Sequence, residues 1–389
     1  MGPVTASQWR PDDVVGARLG HQQLRAPFAA NAADVVRNLL AVQAQEFPYA
    51  RWTVAQRAAS ATAADVEALV ADGIVLRTHI LRPTWHFVHR DDLGWLMALS
   101  SERLHRGNKG MYRQTGVDGE SAGRSAAVLA AAVEGGAHKT REELGAAMEE
   151  AGLPGKGLAF VYHLMHAEIS RVLVSGTPVR SPGGALKQTY ALFSERVPDV
   201  GPADLSAEGR DEALGRLVLR YFSSRGPATV KDCAVWSGVT MKDVKRGLQV
   251  ASALSSGTLS IVRIDDVDYY VDAGFASAAN DDRSFSAPDP GAGYPRVDLI
   301  QCYDEYVMGY SQSRHYLGGT APYFPEDNGP MHVVLLDGRL AGWWRHHFAG
   351  GGCDVEVRMN RPATPEVQAA LEAEVDRYGR FLGMKTRLV

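Results

Sequence analysis

Gly226-Pro-Ala-Thr-Val-Lys-Asp-Cys-Ala-Val-Trp-Ser-Gly-Val-Thr-Met-Lys-Asp243 is a run of helix punctuation. Gly226-Pro227 breaks whatever precedes it. Thr229 and Asp232 have capping-box spacing, in which each side chain bonds the other's backbone N–H. Gly238 closes the short helix so opened, and Thr240 with Asp243 caps a second that runs to about Leu254. Working backward, residues 211–225 carry Leu214, Leu217, Val218, Tyr221 and Phe222 on one helical face. Working forward, 258–264 and 269–271 read as strands of a hairpin around Asp265-Asp-Val-Asp268. Helix, turn, helix, turn, helix, then ribbon is the order of a winged helix, a variant of the helix-turn-helix.

The same grammar recurs upstream. Residues 125–133 form an Ala-rich helix, Gly135-Gly136 breaks it, and Thr140 with Glu143 caps a helix to Glu150. A third helix spans 158–171, and a ribbon spans 172–179 and 188–193, joined by Arg180-Ser-Pro-Gly-Gly184. Near the start, Asn31 caps a helix carrying Val35, Leu39, Leu40 and Val42, which Pro48 ends near 43–46. Thr62 with Asp65 opens the next helix, residues 74–89 alternate as a hairpin around Arg82-Pro83, and Asp91 or Asp92 starts a helix through Leu99. Two clear copies and a third constitute an internal repeat. The polar 279–295 stretch reads as a linker. Beyond it lie strands 297–302, 331–336, 340–346 and 354–359, an Asp337-Gly338 hairpin turn, and a helix from Pro365 to Leu382. The predicted fold is α+β: three tandem winged-helix modules (1–115, 116–200 and 201–278) followed by a C-terminal β-rich module with a closing helix (279–389).

Composition narrows the function class. A chain of 389 residues, 45% hydrophobic and 22% charged, is ordinary for a soluble globular protein, and no apolar run is long enough for a membrane span. Three well-separated cysteines, Cys233, Cys302 and Cys353, have no metal-ligand spacing and fit a reducing cytoplasm. A net charge of -4 excludes a protein basic all over, so nucleic-acid binding needs a local basic face. Arg77, Arg82, Arg90, Arg103, Arg106, Lys109 and Arg113, with four interleaved histidines, supply one.

Motifs for familiar chemistries are missing. No phosphate-binding loop, Gly-x-Ser-x-Gly elbow, zincin motif or Cys-x-x-Cys pair occurs. His163, His166 and Glu168 have ligand-like spacing, but polar positions of an amphipathic helix explain them better, and no metal is expected. His346 and His347 are adjacent and diverge on a strand. Asp304 and Glu305 diverge similarly, and surface charge is the expectation for both. Gln43 and Gln45 would point about 200° apart in a straight helix but share a side in extended chain. Beside Phe47, Tyr49 and Trp52 they could hold a water or a polar ligand edge, although spacing alone favours a solvated helix end.

Five blocks carry a resemblance: Leu40-Ala-Val-Gln-Ala-Gln-Glu46, Leu81-Arg-Pro-Thr-Trp-His-Phe-Val88, Gly226-Pro-Ala-Thr229 with Trp236-Ser-Gly238, Asp304-Glu-Tyr-Val-Met-Gly-Tyr310 and Asp337-Gly-Arg-Leu-Ala-Gly342. Over most of its length the sequence resembles the AlkZ/YcaQ group of tandem winged-helix DNA glycosylases, which remove bulky N7-alkylguanine adducts and unhook crosslinks. The resemblance makes Gln43-Ala44-Gln45 the Gln-x-Gln form of that group's catalytic motif, found in producers of DNA-damaging antibiotics. It implies Gln43 and Gln45 as catalytic residues that hold a water and stabilise the sugar cation. It also implies no cofactor, and a role in repair or self-resistance. Glu46 is a further candidate base, although an adjacent position normally faces away. The expected partner is double-stranded DNA carrying alkylated guanine, bound by a cytoplasmic monomer with no membrane. Charge and position nominate Arg82, Thr84 and His86, and Arg314, His315 and Arg345, as DNA-backbone contacts. The competing reading is a non-catalytic winged-helix DNA-binding protein or transcription regulator.

Overall fold

A computed structural model describes residues 9–181, 186–198, 205–254, 257–274, 295–319 and 331–389. Most of the expected 279–295 linker falls outside these residues. The chain divides into two compact units. One comprises residues up to Val66 together with Leu214–Val389, and the other comprises Glu67–Ala213.

In the first unit the segment read from punctuation folds as the sequence dictates. Helices Ala207–Arg225, Val230–Ser237 and Met241–Leu254 follow one another. Thr229 and Asp232 form the reciprocal box, and Leu214, Leu217, Val218, Tyr221 and Phe222 are buried. Strands Leu259–Ile264 and Val267–Asp272 pair antiparallel, with Asp265 and Asp266 both at positive φ, as a two-residue turn matching strand twist requires. Helices Ala32–Leu39 and Phe47–Ala55 lie in the same unit. The expected run from Asn31 to 43–46 therefore stops early, at Leu39. Leu40 turns the chain at positive φ (64°) with Ala41 N–H bonded to Leu39 C=O (2.7 Å), and Val42–Gln43 is extended. Pro48 does not merely end that helix but sits in the first turn of the next, where its missing N–H costs nothing.

The C-terminal sheet has five strands in the order Val297–Ile300, His332–Leu336, Arg339–Ala349, Gly352–Met359 and Thr386–Leu388. The first four form an antiparallel meander, and the last pairs parallel with its neighbour. Asp337 (φ 50°) and Gly338 (φ 79°) make the tight turn expected of that dipeptide. The short final strand was not anticipated. Helix Pro365–Leu382 closes the module by burying Leu371, Val375, Tyr378 and Phe381, and the Tyr378 and Phe381 rings meet Trp52.

In the second unit, helices Gly119–Val133, Arg141–Glu150 and Gly157–Ile169 bury Leu129, Val133, Leu144, Met148, Phe160 and Leu164 around one core. Three short strands order as Lys139–Thr140, Thr189–Leu192 and Leu173–Ser175. Val75–His79 and Trp85–His89 form the expected hairpin. The helix after it runs from Arg90 to Thr115, well past Leu99, because Leu104, Asn108 and Tyr112 continue a buried stripe through a polar stretch. Gly116, left-handed at φ 73°, stops it.

The two carboxylates expected at the surface are interior. Asp304 and Glu305 are fully buried, at the start of a single helical turn, Glu305–Met308. Asp304 caps that turn through Tyr306 N and pairs with Arg57 at 2.6 Å, while Glu305 pairs with Arg225 at 2.7 Å. Adjacent side chains do diverge, as expected, but each finds a buried cation instead of water. Burial without those partners would be prohibitive.

Candidate functional site

The Gln43–Glu46 segment is clamped by its backbone. Gln43 N–H donates to Glu305 Oε1 (2.9 Å), and Gln43 C=O accepts from Gln301 Nε2 (3.2 Å). Just upstream, Ala41 C=O accepts from Arg225 Nη2 (3.1 Å). These buried side chains supply the hydrogen bonds that another helical turn would have supplied, which is why the helix can end at Leu39. Glu305 is held in turn by Arg225 and by Trp236 Nε1 (2.7 Å), and Gln301 Nε2 also bonds Thr53 Oγ1 (2.8 Å).

On this fixed backbone the two glutamines are unequal. Gln43 is only 4% exposed, and its side-chain Oε1 is buried without a hydrogen-bond partner. Gln45 lies in a bend and is exposed. An unsatisfied buried carbonyl costs stability, so it is the kind of atom that calls for a functional explanation.

Glu46 occupies the N-cap of helix Phe47–Ala55 but makes no side-chain cap bond. Its carboxylate is half-buried and lies 3.4 Å from Nε2 of His332. Nδ1 of that ring accepts from Cys302 N–H (3.1 Å), so the neutral imidazole carries its proton on Nε2, facing Glu46. Burial drives His332 down to about 3, keeping it neutral, and burial raises the Glu46 carboxyl above its ordinary value. Tyr49 packs on the same ring at 3.6 Å and stacks on His346 at 4.4 Å, and burial keeps His346 neutral too, down to about 4. Sequence reasoning missed His332, Gln301, Arg225 and Trp236. Two blocks of the resemblance, Trp236-Ser-Gly238 and Asp304-Glu305, touched this cluster, but Trp236 was given no role and the carboxylates were read as surface.

The predicted backbone contacts differ in exposure and partners. Arg82 is half-buried, with Nη2 3.4 Å from His86 Nε2. His86 is fully buried and bonds the Thr84 carbonyl (2.9 Å), so it orders the hairpin turn from inside instead of presenting itself to a ligand. Thr84 Oγ1 is buried without a partner. Arg314 donates to Tyr310 C=O (3.0 Å), His315 is exposed beside Tyr316, and Arg345 is paired with Glu356 at 2.6 Å. Arg77 leaves the basic run altogether, buried over the Trp85 ring at 4.3 Å.

The histidine pair of helix Gly157–Ile169 makes no ligand set. His163 bonds Ser125 Oγ (3.0 Å), His166 lies beside His105, and Glu168 bonds His79 Nδ1 (2.6 Å) and Trp85 Nε1 (3.2 Å). Among the described residues no cluster of histidine, cysteine and carboxylate could hold a metal ion, and no helix is long and apolar enough to cross a membrane.

The profile of the family described as DNA glycosylase AlkZ-like matches residues 36–381. The solved structure of the Streptomyces sahachiroi DNA glycosylase AlkZ is similar to this chain with a TM-score of 0.67 and 20% identity, covering 98% of this chain and 100% of that one. No curated protein matches. The chain belongs to the AlkZ-like DNA glycosylase family.

Proposed function

We propose that this member of the AlkZ-like family hydrolyses the N-glycosidic bond of bulky N7-alkylguanines in duplex DNA, including crosslinked ones, without opening the strand. Gln43 positions the water and Gln45 contacts the reacting nucleotide. The supporting observation is the buried, unpartnered Oε1 of Gln43 on a backbone held from both sides. Such an acceptor is built to take one O–H of a water and fix where its lone pair points.

The chemistry asks little more. An N7-alkylated guanine is already cationic and leaves readily once the C1′–N9 bond stretches. The sugar then develops oxocarbenium character, which an amide oxygen stabilises, and the water completes hydrolysis. Orientation is the main contribution that neutral amides can make, and misplacing the reacting atoms by about 1 Å can cost about 100-fold. No lysine lies between Leu39 and Trp52, so Schiff-base strand cleavage has no nucleophile there.

The recurring order of three helices and a hairpin supports reading residues 1–115, 116–200 and 201–278 as winged-helix modules, with 279–389 as a β-rich module, acting as a monomer on DNA. A bulky adduct resists extrusion into a tight pocket, so the Gln segment reaches it in the duplex. Arg82 and Thr84, and Arg314, His315 and Arg345, serve as backbone contacts, with His86 supporting Arg82. The biological role is repair or self-resistance to a DNA-alkylating natural product in the cytoplasm.

Base release from duplex DNA carrying an N7-methylguanine or a bulkier N7 adduct, in chelator, tests the reading. The wild type should generate alkali-sensitive abasic sites, and Gln43→Ala/Gln45→Ala should bind the DNA and generate none. Tight binding with no base release from any N7 adduct would favour a transcription regulator. Replacing Arg314 should weaken binding to damaged and undamaged duplex alike, because phosphate contacts carry no sequence or lesion information.

A further inference from the structure

We infer that Glu46 is the catalytic base of this site and that His332 is its positioning residue, with the Cys302 amide setting the imidazole tautomer. The inference rests on the hydrolytic reading above and assigns the proton that two amides cannot accept. A glutamine can orient a water but stays neutral near pH 7 and takes no proton from it.

Three observations converge on Glu46. First, it lies in the segment that carries Gln43 and Gln45, and its carboxylate has no arginine or lysine partner among the described residues, whereas Asp304 and Glu305 each have one. Secondly, it holds an N-cap position without capping. At the N-caps of helices Arg141–Glu150 and Val230–Ser237, by contrast, Thr140 and Thr229 both form full capping boxes. Thirdly, the group that faces it is a neutral donor in a fixed tautomer. His332 Nε2 lies 3.4 Å from Oε2, and Nδ1 is occupied by Cys302 N–H. The other titratable groups around the carboxyl are Tyr49 on its own helix and Cys302 and Tyr303 beyond strand Val297–Ile300. All three are neutral at pH 7, since burial raises each of them. The carboxylate is thus a single negative charge in neutral, half-dry surroundings, which makes it more basic than in water.

The step balances without a co-reactant. The water oxygen bonds to C1′ as the C1′–N9 bond breaks. The bonding pair goes to the purine and discharges its N7 cation. One water proton passes to a Glu46 carboxylate oxygen and is later lost to solvent. His332 keeps its own proton and holds the carboxylate in place.

The test is the single-turnover rate of base release against pH, on N7-methylguanine duplex, for wild type, Glu46→Gln, Glu46→Asp and His332→Leu. A wild type that rises with pH on an acid limb above the ordinary glutamate value supports the inference. So does an Glu46→Gln variant with no limb, a rate about 100-fold lower and unchanged DNA affinity, since general bases contribute about 100- to 10,000-fold. Removing the Nε2–H donor in His332→Leu should move the limb to higher pH, which a purely structural histidine would not do. If Glu46→Gln does not fold, Glu46→Asp decides: a limb that moves with the new carboxylate supports the base, and a limb that stays put overturns it. Wild-type rate and limb in Glu46→Gln overturn the inference and leave the glycosylase intact. No base release by the wild type overturns both.

Discussion

Residues 228–232 and 43–46 each lead into a short helix, Val230–Ser237 and Phe47–Ala55, and they treat polar groups in opposite ways. At 228–232 nothing is left over. Thr229 Oγ1 accepts from Asp232 N–H, and the Asp232 carboxylate accepts from Thr229 N, Ser311 N, Ser313 N and Ser313 Oγ. Those donors hold its pKa below the ordinary value against the opposing effect of burial. At 43–46 the Gln43 backbone is held from both sides, but two side chains are left over. Gln43 Oε1 is orphaned and Glu46 caps nothing. Rigid backbone with unspent side chains is how a fold prepares a site, and a locally consistent sequence breaks its own rules chiefly where function demands it.

The comparison can be broken in several places. The largest effect should come from the clamp. Glu305→Ala leaves the Arg225 guanidinium buried and unpaired, and stability in urea should fall by about 3–5 kcal/mol. An unchanged unfolding midpoint would mean that the clamp is not what holds the segment.

Next is the pH dependence of stability. The folded His332 ring stays neutral to about 3, while the unfolded ring binds a proton below about 6.5. The unfolded state therefore holds the extra proton between those values. The stabilising contribution is complete above about 6.5 and is lost as pH falls. His332→Phe should flatten that acid slope by at most about 1.4 kcal/mol per pH unit, read from unfolding curves between pH 7 and 5. His21, His166 and His346, each held neutral to about 4 by burial, contribute to the slope that remains, as do His105, His138 and His163, which burial also lowers.

The smallest effect separates the two caps directly. Thr229→Ala should cost about 1 kcal/mol for its lost cap. Glu46→Ala should cost no capping energy, because its side chain makes no cap bond. Equal losses in the two variants would erase the distinction between a cap and a functional carboxylate.

Much of the fold was legible because its signals are local. Thr140/Glu143 and Thr229/Asp232 form the boxes that their spacing announces, and Asp337-Gly338 turns as it must. The apolar face of Ala207–Arg225 is buried as its period requires. What was not legible depends on partners distant in sequence. Asp304 meets Arg57 across 247 positions and Glu305 meets Arg225 across 80, and nothing local distinguishes such a pair from surface charge. His332 is an isolated histidine at the start of a strand, and only the folded chain brings it to Glu46. The strand Thr386–Leu388 is three residues long and pairs parallel, below what alternation can reveal. The glutamines stood out through resemblance, while their unequal burial is a product of the clamp.

The most direct measurement takes one preparation of Gln43→Ala and determines both its single-turnover rate of base release from N7-methylguanine duplex and its melting temperature. Loss of about 100-fold in rate with melting equal to or above that of the wild type is the predicted result, since an orphaned acceptor contributes to chemistry and not to stability. A variant that releases base at the wild-type rate would contradict the account.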